Sequence, residues 1–146
     1  MGKVSDILGA KGVQVHSIPA DATVFEAVER MVKSNAGSVI VKDAEEIVGI
    51  FTERDYLRRV TLEDRPPHTT RVREVMTPRL ICTDPNATID ECMAIMTQER
   101  IRHLPVADQG RVVGMISIGD LVKRLSRERE VEIRYLNEYI RGHAEP

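Results

Sequence analysis

Two short stretches of the sequence, GIFTERDYL and GMISIGDLV, place a hydroxyl and an aspartate at the same spacing. The pairs are Thr52 with Asp55 and Ser117 with Asp120. An ionised carboxylate has lone pairs for two adjacent hydroxyl groups, and a nearby Ser or Thr adds one more hydrogen-bonding partner. Each pair therefore matches the diol of a ribose.

The same spacing also has a purely structural interpretation. Ser or Thr followed three residues later by an acidic residue is typical of the start of a helix, so both motifs could simply cap the helix behind them. On the ligand-binding interpretation, the glycine of each motif lets another backbone or a flat ring come close, and the apolar residues after it offer a surface for a base. One motif taken alone leaves both interpretations open.

The chain contains an internal duplication. Shifting the sequence by 65 positions aligns residues 21–60 with residues 86–125 without a gap. Identical pairs include Thr23 with Thr88 and Asp55 with Asp120, and many other pairs keep their apolar character. Because 146 residues are too few for two independent ordinary domains, the two copies are expected to share one core.

Each copy has the pattern strand, helix, strand, strand, helix. Thr23 and Thr88, each followed three residues later by Glu, have the spacing of a helix-capping box. The sequence predicts an α/β (α+β) fold of two βαββα repeats and a C-terminal helix. The predicted divisions are repeat one at 1–64, a linker at 65–75, repeat two at 76–126 and a helical tail at 127–146.

The strands of the two repeats are predicted from short apolar runs bounded by turn residues. In repeat one they are Val15 to Ile18, Ser38 to Val41 and Ile47 to Phe51. In repeat two they are Leu80 to Thr83, Leu104 to Val106 and Arg111 to Ile116. The second helices begin near Arg54 and near Gly119.

The composition indicates a globular protein and argues against nucleic-acid binding. Hydrophobic residues make up 42% and charged residues 30%, the formal net charge is -2, and aromatic residues reach only 3%. No apolar run approaches the roughly 20 residues that cross a bilayer, and the first residues contain no apolar signal core. We expect a cytoplasmic protein with neither a membrane nor a nucleic-acid partner.

Motifs for catalysis and for metal binding are absent from the sequence. It contains no phosphate-loop motif, dinucleotide glycine fingerprint, HExxH motif or nucleophile elbow. Cys82 and Cys92 have neither metal-ligand spacing nor a CxxC arrangement, so we expect buried reduced thiols. No catalytic residue, metal site or catalytic cofactor is therefore expected.

The whole pattern resembles a tandem pair of CBS domains, the modules first named for cystathionine beta-synthase. The resemblance covers Val4 to about Leu125 and rests on three features: the Gly-h-h-Thr/Ser-x-x-Asp ending of both copies, the stretch RIRHLPV in the second copy, and the order of the elements. The chain is especially similar to stand-alone CBS-pair proteins, in which the pair makes up nearly the whole chain.

The resemblance implies two ligand clefts between the copies. The ribose partners would be Thr52 with Asp55 and Ser117 with Asp120, while Arg102 and His103 would meet phosphates. The first copy has Gly37 and Ser38 where the second has Arg102 and His103, so the clefts are expected to differ; Arg54 is a candidate cation for the first cleft. The candidate base contacts are Ile50, Met115 and Thr77.

The function implied is that of a regulatory sensor. The module would bind AMP, ADP, ATP or NAD as a regulatory ligand and signal to a partner protein through rearrangement of the two copies, which are related by a pseudo-twofold axis, or of a homodimer. One alternative is an interaction regulator of redox proteins such as thioredoxin. Another is a structural dimerisation module with vestigial clefts, although the hydroxyl and aspartate retained in both copies argue against it.

Overall fold

The computed structural model describes residues 2–12, 15–127 and Arg134. The tail helix predicted for 127–146 lies almost entirely outside these residues. None of the helices that they form is both long and apolar enough to cross a membrane.

The described elements repeat once along the chain. The first group contains α1 (Val4–Lys11), β1 (Ser17–Pro19), α2 (Val24–Ser34), β2 (Ser38–Asp43), β3 (Glu46–Thr52) and α3 (Glu53–Asp55), which continues as a π-helical segment (Tyr56–Thr61). The second group contains α4 (Val72–Val75), α5 (Ile89–Glu99), β4 (His103–Asp108), β5 (Arg111–Ser117) and α6 (Ile118–Arg127). The predicted α+β class is confirmed.

The strands form two small sheets. In the first, β1 pairs in parallel with β2, and β2 pairs antiparallel with β3. In the second, β4 and β5 form an antiparallel pair. Both predicted hairpins are present, with strands slightly longer than the apolar runs that indicated them. Each hairpin delivers one hydroxyl and aspartate motif at the end of its second strand.

The first strand predicted for repeat two, Leu80 to Thr83, is wrong as a strand, because it is reduced to one parallel bridge at Thr83. The cause lies in the neighbouring strand. In the first sheet the amide of Ile40 donates to the carbonyl of His16 at 2.9 Å. The aligned residue in repeat two is Pro105, which has no N–H to donate, so the corresponding ladder bond cannot form.

The threonine caps predicted for α2 and α5 are confirmed, but the reciprocal bond that completes a capping box, from the threonine amide to the glutamate side chain, is present only at α5. The hydroxyl oxygens of Thr23 and Thr88 accept hydrogen bonds from the amides of Glu26 and Glu91, at 3.2 and 3.1 Å. Each bond satisfies one of the first free amides of its helix. At its other end α5 terminates in Arg100, whose φ of 57° turns the chain sharply toward β4.

Each half has its own hydrophobic core, but the short helices are exchanged between the halves. Val72 and Val75 of α4 are fully buried in the core formed by α2, β2 and β3. Val4 and Ile7 of α1, at the start of the chain, are buried in the core of the second half. The sequence did not indicate α1 or this exchange.

Backbone hydrogen bonds tie the exchanged helices to equivalent points of the two halves. The amide of Val72 donates to the carbonyl of Ala22, and the amide of Val4 donates to that of Ala87, each at 2.9 Å. Ala22 and Ala87 are aligned residues of the duplication. The exchange fixes the two halves to each other. It places Lys11, the last residue of α1, beside the motif of the second repeat, and Thr77, two residues after α4, beside the motif of the first.

Candidate functional site

The carboxylate of Asp55 lies at the end of β3 and is held by three hydroxyl or amide donors. Its Oδ2 accepts from the backbone amide and from the hydroxyl of Thr52, at 3.0 and 3.1 Å. Its Oδ1 accepts from the hydroxyl of Thr77 at 2.9 Å. Only 7% of Asp55 is exposed. The amide of Asp55 donates in turn to the Thr52 hydroxyl at 3.1 Å, so this motif does cap α3.

Thr77 reaches Asp55 because its backbone pairs with β3. The amide of Ile50 donates to the carbonyl of Thr77 at 2.9 Å, and the amide of Thr77 donates back at 2.8 Å. A Cβ at Gly49 would lie 2.4 Å from that Thr77 carbonyl oxygen. Glycine is therefore required here, because it lets the second backbone approach closely.

A cleft of about 660 Å³ opens beside this motif, and residues of both halves line it. Seven of the ten residues predicted to bind ligand line this one cleft: Ile50, Thr52, Arg54, Asp55, Thr77, Arg102 and His103. The basic pair of the second repeat therefore faces the hydroxyl and aspartate of the first. Met115, Ser117 and Asp120 are not among the residues that line it.

Four further arginines line the cleft: Arg58, Arg59, Arg79 and Arg100. Arg100 is part of the basic stretch RIRHLPV but was not predicted as a site residue, and the other three were not indicated by the sequence motifs. Arg58 and Arg59 follow Asp55 by three and four residues on a helical segment, a spacing that places them on the same helical face. That spacing was the available signal. Arg79 and Arg100 are distant from Asp55 in the sequence, so only the tertiary structure reveals their proximity to it.

Arg54 links the two halves across the cleft. Its Nη1 donates to the backbone carbonyl of Arg100 at 2.8 Å. That carbonyl is free to accept because α5 ends there in the left-handed conformation. Arg54 thus lies at the first cleft, where the sequence predicted a cation, and it also connects the first motif to the end of α5.

His103 is half-buried at the start of β4. Burial lowers its pKa below the ordinary value, and the nearby carboxylates of Glu53 and Asp120 oppose this only in part. The imidazole is therefore mostly neutral near pH 7 and can serve there as a hydrogen-bonding group rather than as a cation. A Cβ at Gly37 would lie 2.6 Å from His103 Nε2, so the glycine leaves room for the imidazole ring.

The second motif has a different neighbour. Asp120 Oδ2 accepts from the backbone amide of Ser117 at 2.9 Å and from the ammonium of Lys11 at 2.6 Å. Lys11 also donates to the carbonyl of Met115 at 3.0 Å. Partial burial acts to raise the pKa of Asp120, but the hydrogen bonds from Lys11 and Ser117 outweigh it, so that this pKa is lowered.

The two motifs therefore differ in the group that the exchanged helix delivers. Helix α4 ends at Val75, and the chain then extends so that the neutral hydroxyl of Thr77 meets Asp55. Helix α1 continues to Lys11, whose positive charge meets Asp120. Only the first carboxylate lies in the arginine-lined cleft.

We expect Lys11→Met to make the fold less stable at pH 7, by about 0.5 to 1 kcal/mol for this partly exposed pair. Because the pKa of Asp120 is lowered in the fold, the ion pair stabilises above the unfolded-state pKa of about 3.9, and this contribution is lost as pH falls through the folded-state pKa. Melting temperatures of both proteins from pH 7 to pH 3 should therefore converge at low pH.

The control for this prediction is Lys33→Met. Lys33 forms a more exposed ion pair with Glu29 at 3.6 Å, on the surface of α2. Its replacement should change the melting temperature much less than the replacement of Lys11. A difference between wild type and Lys11→Met that stays constant from pH 7 to pH 3 would contradict the assignment of the effect to Asp120.

The described part of the chain contains no group of three or more His, Cys, Asp and Glu side chains arranged to hold a metal ion. Cys82 is half-buried and Cys92 is buried, and burial raises the pKa of both thiols. A raised pKa disfavours the nucleophilic thiolate. The thiols therefore do not support a direct role in disulfide exchange.

Known proteins with similar sequences and structures contain CBS domains. The family model described as CBS domain matches residues 4–62 and 72–127. The mitochondrial CBS domain-containing protein CBSX3 of Arabidopsis thaliana is 38% identical, covering 95% of this chain and 72% of that protein. YhcV of Bacillus subtilis, a CBS domain-containing protein, is 32% identical, covering 86% and 89%. A solved CBS-domain protein from Burkholderia ambifaria has a TM-score of 0.85 and 42% identity, covering 88% and 96%.

Proposed function

This chain belongs to the CBS-domain family, and on that premise we propose that it is a regulatory module that binds an adenine nucleotide in the cleft at Asp55. CBS pairs are in general regulatory modules that bind adenosine ligands, and stand-alone CBS proteins are generally not catalytic. The ligand would act as a regulatory effector. The proposal places the ribose at Asp55, the base against Ile50 and the phosphates toward Arg102.

One observation carries this proposal: a nearly buried carboxylate, an apolar side chain and arginines from both halves line the same cleft. An ionised carboxylate has about four acceptor positions, and the described donors use three of them on Asp55. The fourth position can accept from one ribose hydroxyl. Rotation of the Thr77 hydroxyl can release another position for the second.

A panel of thermal-shift measurements tests the proposed function. Ligand that binds only the folded state raises the melting temperature in proportion to the logarithm of its concentration over Kd. Adenosine, AMP, ADP, ATP and NAD should be compared with guanosine and GTP. We expect stabilisation by at least one adenine compound but not by its guanine counterpart. Equal shifts with both bases, or none up to millimolar concentration, would contradict the proposal.

The second motif is proposed to bind more weakly than the first. The Lys11 ammonium already occupies Asp120 Oδ2 and the carbonyl beside the expected base position at Met115. A ligand there would have to rearrange or replace these contacts, and no such cation engages Asp55 from the exchanged helix. Titration of wild type should therefore give two unequal binding constants if both clefts fill.

A homodimer is proposed from an apolar groove between α2 and the helical segment that follows β3. The groove, of about 470 Å³, includes Val28, Met31, Val32 and Leu57 in its lining. Leu57 is 59% exposed, and its counterpart in the duplication, Val122, is 52% exposed. Exposed apolar residues at equivalent positions of both repeats favour a second copy of this chain as the occupant, because a twofold interface uses the same surface on each partner.

We expect Leu57→Asp to convert this dimer into a monomer at micromolar concentration, because the interface would have to bury an unpaired carboxylate. Static light scattering on both proteins measures the mass. Leu62→Asp is the control, since Leu62 is 80% exposed and does not line the groove. A wild-type monomer, or equal dissociation by both substitutions, would contradict the proposed interface.

The signal is proposed to pass to a partner protein through the relative position of the two halves. The bond from Arg54 to the carbonyl of Arg100 crosses the cleft, so a ligand that draws either arginine toward its phosphates changes the contact between the halves.

The redox-protein alternative gains no support from the two thiols. The cytoplasmic location stays a prediction, since the Arabidopsis relative is named as mitochondrial.

A further inference from the structure

The cleft at Asp55 has a positive charge out of proportion to the rest of the chain. Six arginines line it, namely Arg54, Arg58, Arg59, Arg79, Arg100 and Arg102. The carboxylates in the same lining are three, those of Glu53, Asp55 and Glu99. The chain as a whole has a formal net charge of -2, yet this cleft carries an excess of three positive charges.

Contacts within the protein leave much of this charge uncompensated. Arg58, Arg100 and Arg102 make no side-chain hydrogen bond and no ion pair among residues 2–12 and 15–127. Arg79 is 78% exposed on its side chain and approaches Glu99 only at 3.4 Å. A guanidinium group stays charged at every physiological pH, so its repulsion toward neighbouring arginines cannot be relieved by losing a proton.

The arginines of the cleft come from separate segments of the chain. Arg54, Arg58 and Arg59 belong to the helical stretch that follows β3, and Arg59 lies 3.9 Å from Asp55 Oδ1. Arg79 lies between α4 and α5, and Arg102 lies between α5 and β4. Anionic groups bound in the cleft would be reached by arginines of these different segments, and planar guanidinium groups bind phosphate oxygens in pairs.

We propose that the ligand of this cleft carries a chain of at least two phosphates, so that nucleoside di- and triphosphates bind in preference to the monophosphate and to NAD. This inference rests on the proposed function. Each phosphate added to the chain brings about one more negative charge near neutral pH, with further acceptor oxygens. A single phosphate beside the ribose uses the nearest arginines and leaves the others facing each other.

The test is calorimetric titration of the full chain, without magnesium, with adenosine, AMP, ADP, ATP and NAD. Variants are Arg58→Ala, Arg79→Ala and the double variant, with Arg111→Ala as the matched control. Arg111 is exposed and does not line the cleft, and its replacement removes one positive charge, as each single variant does. In wild type and in the control we expect ATP to bind at least tenfold more tightly than AMP. In the double variant this preference should fall below threefold, while the affinity for adenosine changes less than twofold.

Different outcomes separate this inference from the proposed function. Equal or tighter binding of AMP than of ATP would overturn the polyphosphate preference and leave adenine-nucleotide binding standing. The same would follow if Arg111→Ala reduced the preference as much as the double variant, because the effect would then be general charge attraction. If no adenine compound binds the wild type, the proposed function and this inference both fail. Repeating the ATP titration at higher salt should weaken binding in wild type more than in the double variant.

Discussion

Replacing Asp55 by alanine is expected to weaken binding of an adenine nucleotide by at least roughly 100-fold, because the ribose loses two hydrogen bonds to a charged acceptor, typically about 1.5 to 3 kcal/mol each. The loss of affinity should be large because Asp55 is nearly buried, so water cannot easily take the place of its carboxylate as the acceptor for the ribose hydroxyls. Calorimetric titration of wild type and variant with the same nucleotide measures the effect.

Asp55→Ala also has a structural cost that must be separated from the loss of ligand. The carboxylate holds the amide of Thr52 and the hydroxyl of Thr77, and leaving such donors without partners costs about 1 to 3 kcal/mol. Asp120→Ala is the matched control, since Asp120 accepts from its own motif amide in the same way. It should lower stability but leave the tighter binding constant unchanged.

The two interpretations of the motif predict different results for this pair of variants. If the motif only caps α3, Asp55→Ala will lower the melting temperature and leave affinity for any nucleotide that binds unchanged. If it also holds the ribose, affinity falls in a protein that is still folded at the temperature of the titration. Asp55→Asn, which keeps the shape and one acceptor oxygen, should fall between wild type and Asp55→Ala in affinity.

Replacing Gly49 by alanine is expected to lower the free energy of unfolding by about 2 to 4 kcal/mol. The new Cβ would lie 2.4 Å from the carbonyl oxygen of Thr77, a backbone atom that cannot rotate away. The extended chain at Thr77 must then shift, and both of its hydrogen bonds to Ile50 are strained or lost. Because Thr77 also holds Asp55, nucleotide affinity should fall in the same variant.

Gly9→Ala is the control for Gly49→Ala. Gly9 lies within α1, and nothing lies within 4 Å of a Cβ placed there. Alanine is favoured over glycine in a helix by about 1 kcal/mol, so this substitution should slightly stabilise the fold. Urea unfolding of the three proteins gives the comparison. A Gly49→Ala protein as stable as wild type would show that the chain at Thr77 is not held against β3 as described.

The local elements could be predicted because their signals lie close together in the sequence. The threonine caps, the turn residues of both hairpins and the apolar runs between them each depend on a few neighbouring residues. The missing strand at Thr83 depends on Pro105 in another element, and a pairing rule applied to Pro105 could have found it. Helix α1 has eight residues and begins at Val4, and the residue before it is Lys3 rather than a Ser, Thr, Asn or Asp cap, so no strong start signal marks it.

The site was predicted in part for the same reason. The hydroxyl and aspartate motif is local and was found twice, and the resemblance to CBS pairs supplied Arg102 and His103. The crosswise arrangement of these two residues with Asp55 depends on how the halves pack, as does the contact of Lys11 with Asp120. An ammonium at the end of an undetected helix could not be assigned to a carboxylate more than 100 residues away.

The most direct test of the central claim is native mass spectrometry of the purified chain, with ATP, or with GTP as the control, added in steps up to millimolar concentration. We expect at least one ATP mass bound per chain and a clear excess over GTP at equal concentration. In Asp55→Ala the first ATP mass should appear only at a much higher ATP concentration than in wild type, while in Asp120→Ala it should appear at the wild-type concentration. An ATP adduct no more abundant than the GTP adduct, or one that persists unchanged in Asp55→Ala, would contradict an adenine-nucleotide site at Asp55.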